Sequence, residues 1–255
     1  MVIGLAGQRI GIDNLYPYIE EYCKEYRIKE DDGVSLSIHV TKEDIAYERD
    51  KSEREDRAEG IPVRQFSDDY LETLAVYRKI AEWMPAHDTV LFHGSVVAVD
   101  GKGYLFTAKS GTGKSTHTRL WMEHFGDRAV MVNDDKPLLK VGDDKVTACG
   151  TPWDGKHRLS RNISVPLGGI CVLHRAEDNR IEKADRQEVY PMFVQQIYRP
   201  ADKGSMARTF SLIDKILENV PVYHLYCNMD ISAAKVAYDG MNGKTSEKTE
   251  GMIKI

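Results

Sequence analysis

Residues 108–115 read Ala-Lys-Ser-Gly-Thr-Gly-Lys-Ser and lie between an apolar, β-prone run, Gly103-Tyr104-Leu105-Phe106-Thr107, and a helix-like run that starts near Lys114. A strand that turns through a glycine-rich loop straight into a helix can be packed in few ways. Gly111 and Gly113 accept backbone angles that other residues avoid, so the loop can curl with its N–H groups pointing inward as an anion nest. The following helix aims its positive end at the same place. Ser110, Gly111, Thr112, Gly113, Lys114, Ser115 and Thr116 therefore read as a cradle for phosphates. Lys114 is placed to reach the β- and γ-phosphates, and the Ser115 hydroxyl to ligate Mg²⁺. Ala108 stands where the first Gly of the usual pattern falls, and its small side chain leaves the backbone path open.

The chain of 255 residues suits one large domain or a domain with a small extension. A net charge of −5 argues against a nucleic-acid or acidic-membrane partner. Cys23, Cys149, Cys171 and Cys227 are scattered without a C-x-x-C pair and read as reduced core residues of a cytoplasmic protein. No apolar run approaches membrane-spanning length, and the first residues lack the basic flank of a secretory signal.

Three parts are expected: an N-terminal α+β segment over 1–88, a loop-bearing domain over 89–240, and a frayed polar tail over 241–255. In the first, residues 1–12 alternate as a strand, a helix runs from Asp13-Asn14 to Tyr26, and 35–40 alternate again. Thr41 opens a charged stretch to Glu59, read as a solvated helix face or mobile loop. A capped amphipathic helix follows from Ser67 and stops before Pro85. No chemistry is evident in this segment. Beyond it, 90–99 and 104–108 flank an Asp-Gly turn and read as a hairpin. Strands are expected at 129–132, 138–141, 146–149, 170–173 and 222–227, and helices at 188–198, 206–218 and 232–238. A hairpin, not a helix, leads into the loop strand. The fold class is therefore α/β in the α+β sense, a mixed, largely antiparallel sheet around the loop.

Asn133-Asp134-Asp135 ends the strand at 129–132, expected to lie next to the loop strand. Adjacent carboxylates there can divide work, one staying ionised beside a metal and the other accepting the proton of a hydroxyl. Such a triplet is also favoured turn chemistry. After Pro152, the stretch Trp153–Arg161 gathers Lys156, His157, Arg158 and Arg161, which could grip an anionic acceptor or the migrating phosphoryl group, with Trp153 as a wall. A solvated basic loop is the competing reading. The other histidines show no metal spacing, and His117 and His124 read as surface or packing residues.

His93-Gly94, the Asp-Gly hairpin, Ser-Gly-Thr-Gly-Lys-Ser-Thr and Asp134-Asp135-Lys136 together resemble the catalytic domain of HPr kinase/phosphorylase, whose fold is shared with phosphoenolpyruvate carboxykinases. The resemblance covers roughly residues 90–176. It implies an ATP- and Mg²⁺-dependent phosphotransferase in which Asp134 is the general base, Lys114 binds the β/γ-phosphates, Ser115 and Asp135 serve the metal, and His93 lies near the transferred group. Thr151–Arg158 stands where that family carries its Glu-Ile-Arg-Gly signature. The chain thus looks more like the HPr-kinase-related proteins of uncharacterised substrate. The expected partners are ATP and a hydroxyl-bearing acceptor, either a small metabolite or a seryl group. A nucleotide-binding regulatory module and a carboxykinase-type enzyme are the alternatives. Donor choice, reversibility, the exchange of roles within the acidic pair and the oligomeric state stay open.

Overall fold

The structure is a computed structural model that describes residues 1–29, 33–155 and 157–243. The chain opens with β1 (Val2–Leu5) and β2 (Gln8–Asp13), an antiparallel pair, where one continuous strand was expected. Ala6 and Gly7 both take positive φ, 51° and 80°, which is the primed turn that matches strand twist. α1 (Tyr18–Tyr22) passes into a 3₁₀ turn over Lys24–Tyr26, so the expected single helix is shorter and broken. β3 (Leu36–His39) then adds to β2 in parallel.

The charged stretch folds as α2 (Lys42–Glu59), opened by a reciprocal capping box between Thr41 and Asp44. It is not merely a solvated face. Arg78 of α3 (Asp68–Trp83) reaches Glu48 at 2.5 Å and Asp44 at 3.0 Å, and Arg64 pairs with the fully buried Asp56 carboxylate. Glu72 of α3 accepts the N–H groups of Leu15 and Tyr16 and so ties down the loop before α1.

The second half comprises β4 (Thr89–Leu91), β5 (Ser95–Val99), β6 (Lys102–Thr107), α4 (Lys114–Phe125), β7 (Ala129–Asn133), β8 (Leu138–Val141), β9 (Val146–Cys149), β10 (Ser164–Arg175), β11 (Arg180–Lys183), α5 (Arg186–Gln196), α6 (Lys203–Asn219), β12 (Val222–Cys227) and α7 (Ser232–Met241). The strands run β4-β8-β9-β10-β6-β5-β7 across one curled sheet, with β12 and then β11 added beside β10. β10 pairs antiparallel with β9 along Ser164–Pro166, then parallel with β6 and β12 further on. The register slips between Leu167 and Gly169, and a Cβ on Gly168 would stand 1.9 Å from Lys102 Cε. That bulge lets one long strand serve both halves of the sheet. All other pairings in the sheet are antiparallel, in keeping with the expected mixed, largely antiparallel class.

Three expectations change. Residues 90–99 are not one strand: Phe92-His93-Gly94 interrupt it, and their N–H groups donate to the carbonyls of Pro137, Gln196 and Asp135 in place of a ladder. β4 therefore pairs with β8, while β5 alone forms the hairpin with β6. β7 is not beside the loop strand, because β5 lies between β7 and β6. β11 carries no apolar alternation and was not anticipated. Most of the expected tail, 244–255, lies outside the described residues, and its first residue, Met241, ends α7.

The core has three parts. One lies between the sheet and α5–α6, and one between the sheet and α4 and α7. The third joins the first 88 residues to the main sheet: Leu91, Leu138, Cys149 and Trp153 pack with Leu71, Val76 and Ile80 of α3. Among the described residues no helix is long and apolar enough to cross a membrane.

Candidate functional site

β6 delivers the chain to residues 108–113 and α4 takes it away, the order expected from sequence. Gly111 (φ 75°) and Gly113 (φ 123°) both hold backbone angles that side chains oppose, which explains glycine at these positions. The Lys114 side chain bends back over the loop, and its Nζ donates to the Ala108 carbonyl at 3.3 Å. Arg175, at the end of β10, closes the far side. Its Nε donates to the Thr112 carbonyl at 3.1 Å and an Nη to the Gly111 carbonyl at 2.5 Å. No sequence signal marked Arg175. It reaches the loop only because β10 runs parallel to β6 and extends past it.

The acidic pair is framed by Asn133. Its side-chain amide N–H donates to the Thr151 carbonyl (3.1 Å), the Thr151 hydroxyl (3.0 Å) and the Trp153 carbonyl (3.3 Å). Its carbonyl oxygen accepts the N–H groups of Asp135 (2.8 Å) and Lys136 (2.5 Å). This is the turn chemistry legible in Asn-Asp-Asp, used to aim the two carboxylates apart. Sequence reasoning counted Asn133 as part of a turn and missed that it is the frame.

Asp134 is buried, and its carboxylate accepts the Ser95 hydroxyl at 3.0 Å. Burial raises its pKa, against the opposing pull of hydrogen bonds from Ser95 and Ser115. Asp135 behaves oppositely. Burial pushes its pKa up, yet the hydrogen bond from His93 and the Lys136 charge outweigh it and hold the pKa below the usual carboxylate value. His93 Nε2 is 3.3 Å and Lys136 Nζ 3.2 Å from the same Asp135 oxygen. Burial lowers the Lys114 pKa, offset in part by Asp135 and Asp134. Loop lysine, loop serine, His93 and both aspartates therefore converge, from three separate stretches of chain.

The basic stretch divides. His157 lies close enough to Asp134 for its charge to act there. Arg158 turns away to the N-terminal segment, where its guanidinium covers the Tyr22 ring at 4.1 Å and donates to the Tyr22 carbonyl. The Arg161 side chain is exposed, and its backbone N–H donates to the Val132 carbonyl. Lys156 is outside the described residues. Trp153 is not a site wall. It is a core residue whose indole N–H donates to the Thr73 carbonyl at 3.0 Å. The same stretch supplies Gly155, whose backbone presses on the pair: a Cβ there would lie 2.6 Å from Asp134 Oδ2.

Beside the loop, α4 and the ends of β10 and β12 enclose a cleft of about 530 Å³, with Thr112, Thr116, Leu120, His174 and Met229 on its walls. Among the described residues no three His, Cys, Asp or Glu side chains form a metal-sized cluster. A buried carboxylate of raised pKa beside an ionised one is an arrangement that can accept a proton while a fixed negative charge stays in place.

No protein-family profile matches the chain, and no curated protein sequence does. Among solved structures, the HPr(Ser) kinase/phosphatase from Coxiella burnetii is similar over 60% of this chain and 97% of its own, with 11% sequence identity and a TM-score of 0.35. Likeness this slight says nothing about activity.

Proposed function

We propose that this chain is an ATP- and Mg²⁺-dependent phosphotransferase that moves the γ-phosphate of ATP to a hydroxyl acceptor. The observation that carries this reading is Asp134, a buried carboxylate of raised pKa seated among Ser95, Ser115 and Lys114 beside a glycine-rich loop. A general base for an alcohol works best when its pKa is lifted toward the working pH. In the transfer, the acceptor oxygen bonds to the γ-phosphorus while the bond from that phosphorus to the bridging oxygen of ADP breaks. The acceptor proton passes to Asp134, and ADP departs with the electron pair. Lys114 and the helix N-terminus offset charge on the phosphates, and positioning supplies most of the rate.

Mg²⁺ prefers hard oxygen ligands and keeps several of its waters. The Ser115 hydroxyl and one carboxylate of the pair fit that demand, with phosphate oxygens and water completing the shell. Asp135 is kept ionised and is assigned to the metal side; His93 beside it would face the migrating phosphoryl group. The nucleoside would occupy the cleft beside the loop, against Leu120 and Met229.

Titration calorimetry with Mg-ATP tests the cradle. Lys114→Ala should abolish measurable affinity, and unchanged affinity overturns the assignment. Asp134→Asn keeps shape but cannot take the proton. Turnover should fall about a hundredfold or more, with nucleotide affinity retained. Asp135→Asn should instead shift the Mg²⁺ concentration needed for half-maximal rate. Full transfer by the double variant would refute the scheme.

A further inference from the structure

The N-terminal segment, which shows no chemistry in its sequence, builds a second cavity. A pocket of about 420 Å³ lies between α1 with its 3₁₀ turn and Thr151, Pro152, Asp154, Arg158 and Ser160. That is within the range of small-molecule sites, roughly 300–1,000 Å³. Three buried polar groups belong to it, one being the Ser160 hydroxyl, which has no hydrogen-bond partner among the described residues. The Tyr26 side chain is 3% exposed, and its hydroxyl has no hydrogen-bond partner among the described residues. The Asp154 carboxylate is 6% exposed and accepts the Ser160 N–H at 3.2 Å. Tyr26 and Asp154 feel each other, since the Asp154 charge adds to burial in raising the Tyr26 pKa, yet they do not bond directly. A buried phenol left without a partner is costly and calls for a polar occupant.

The charges around the pocket select among occupants. Lys24 is paired with Glu21 at 2.5 Å, and Arg158 lies 4.0 Å from Asp154 and over Tyr22. Glu25 adds a further carboxylate to the lining. Among the described lining residues the surplus is negative, which disfavours an anion. The guanidinium beside Asp154 already supplies the cation, which disfavours an amine. A hydroxyl remains: it can accept from Tyr26 and donate to Asp154 at once. Tyr18 and Tyr22, with ring centroids 5.9 Å apart, offer flat apolar faces beside these polar groups. Arg158 holds a left-handed backbone (φ 49°) to keep its place, a strain of the kind that gathers at ligand sites.

The pocket neighbours the acidic pair through the chain itself. Asp154 is followed by Gly155, whose backbone abuts Asp134. Tyr70 of α3 lies within electrostatic reach of both Tyr18 and Asp135.

We propose that this pocket receives the acceptor, a neutral polyhydroxylated small molecule of the monosaccharide or cyclitol class, with one hydroxyl bridging Tyr26 and Asp154. The identity of the occupant as acceptor rests on the phosphotransferase reading; its binding does not. Saturation-transfer NMR on the full chain, without nucleotide, against a panel of neutral aldoses, alditols and inositols reads binding alone. At least one member should bind saturably, and Tyr26→Phe and Asp154→Asn should each weaken it at least tenfold. Tyr26→Phe removes only an unpartnered hydroxyl, so its melting temperature should not fall. Lys114→Ala, which disables the proposed cradle, should leave polyol binding unchanged. Absence of saturable binding up to about 10 mM overturns the proposal. So does equal binding by the two pocket variants, or binding of spermidine in place of every polyol. If polyol binds but is not phosphorylated with Mg-ATP, the pocket stands and the kinase reading fails. If ATP is turned over with another acceptor while polyols stay silent, the reverse holds.

Discussion

His117 sits at 2% exposure near the start of α4, accepting the Trp121 indole N–H at 3.0 Å on Nε2. Burial pushes its pKa down to about 3 from an ordinary 6.5. Below pH 6.5 the unfolded chain takes up a proton that the folded chain refuses. The stability His117 contributes is therefore whole above pH 6.5 and lost as pH falls toward 3. At pH 5 the loss is about 2 kcal/mol. His117→Gln should flatten the acid side of a melting-temperature profile between pH 4 and pH 7, on the order of that loss. Asp134 titrates in the other experiment. If Asp134 is the base, as proposed, its raised pKa places the acid limb of the rate profile above the ordinary carboxylate range, because a base must be ionised to act. At this scale the sequence was informative about residue type and silent about direction. Lys114 and Ser115 sit where the loop pattern puts them. Which aspartate meets Ser115 depends on the Asn133 hydrogen bonds, and strand alternation alone does not decide that. Arg175 was invisible because its partner Thr112 is 63 residues away along the chain, and Tyr26 because the nearby Asp154 charge comes from a distant part of the sequence.

Gly150 and Gly155 in the connection between β9 and β10 make opposite predictions. A Cβ on Gly150 would meet the Arg161 carbonyl at 2.0 Å and the Val132 carbonyl at 2.8 Å. Both are backbone atoms that cannot step aside, so Gly150→Ala should cost about 3 kcal/mol in denaturant unfolding. The three atoms nearest a Cβ on Gly155 all belong to the Asp134 side chain. Gly155→Ala should leave the unfolding midpoint nearly unchanged while lowering turnover, because it moves the proposed base. Both effects are read on the same two variants. Strong periodicity made elements such as α3, α6 and β12 legible to within a few residues. The break at Phe92-His93-Gly94 was not, because its donors are satisfied by Pro137, Gln196 and Asp135, partners that local pattern cannot name. α2 shows the converse. A stretch almost entirely charged still buries Glu48 and Asp56, because Arg78 and Arg64 meet them from the next helix and its approach.

Across the whole molecule, the first 88 residues and the rest share one core through Trp153, Leu138, Cys149 and Leu91. Polar ties reinforce it, among them the Tyr198 hydroxyl donating to Glu82 at 2.9 Å. A fragment of residues 89–243 would expose that apolar face and leave the Trp153 indole N–H without its acceptor. We expect it to melt at least 10 °C below the full chain, on the order of a loss of several kcal/mol, or to fail to fold cooperatively, as read by calorimetry. The mixed, largely antiparallel sheet was legible because a hairpin, not a helix, leads into the loop strand. The joint between segments was not, since no local pattern says which apolar faces meet. That joint has an optical consequence. The indole of Trp153 lies between Tyr22 and Tyr77, in a dry seam where its fluorescence should be blue-shifted. With Trp83 and Trp121 replaced by Phe, its emission colour becomes a gauge of whether the seam parts before the sheet melts or together with it.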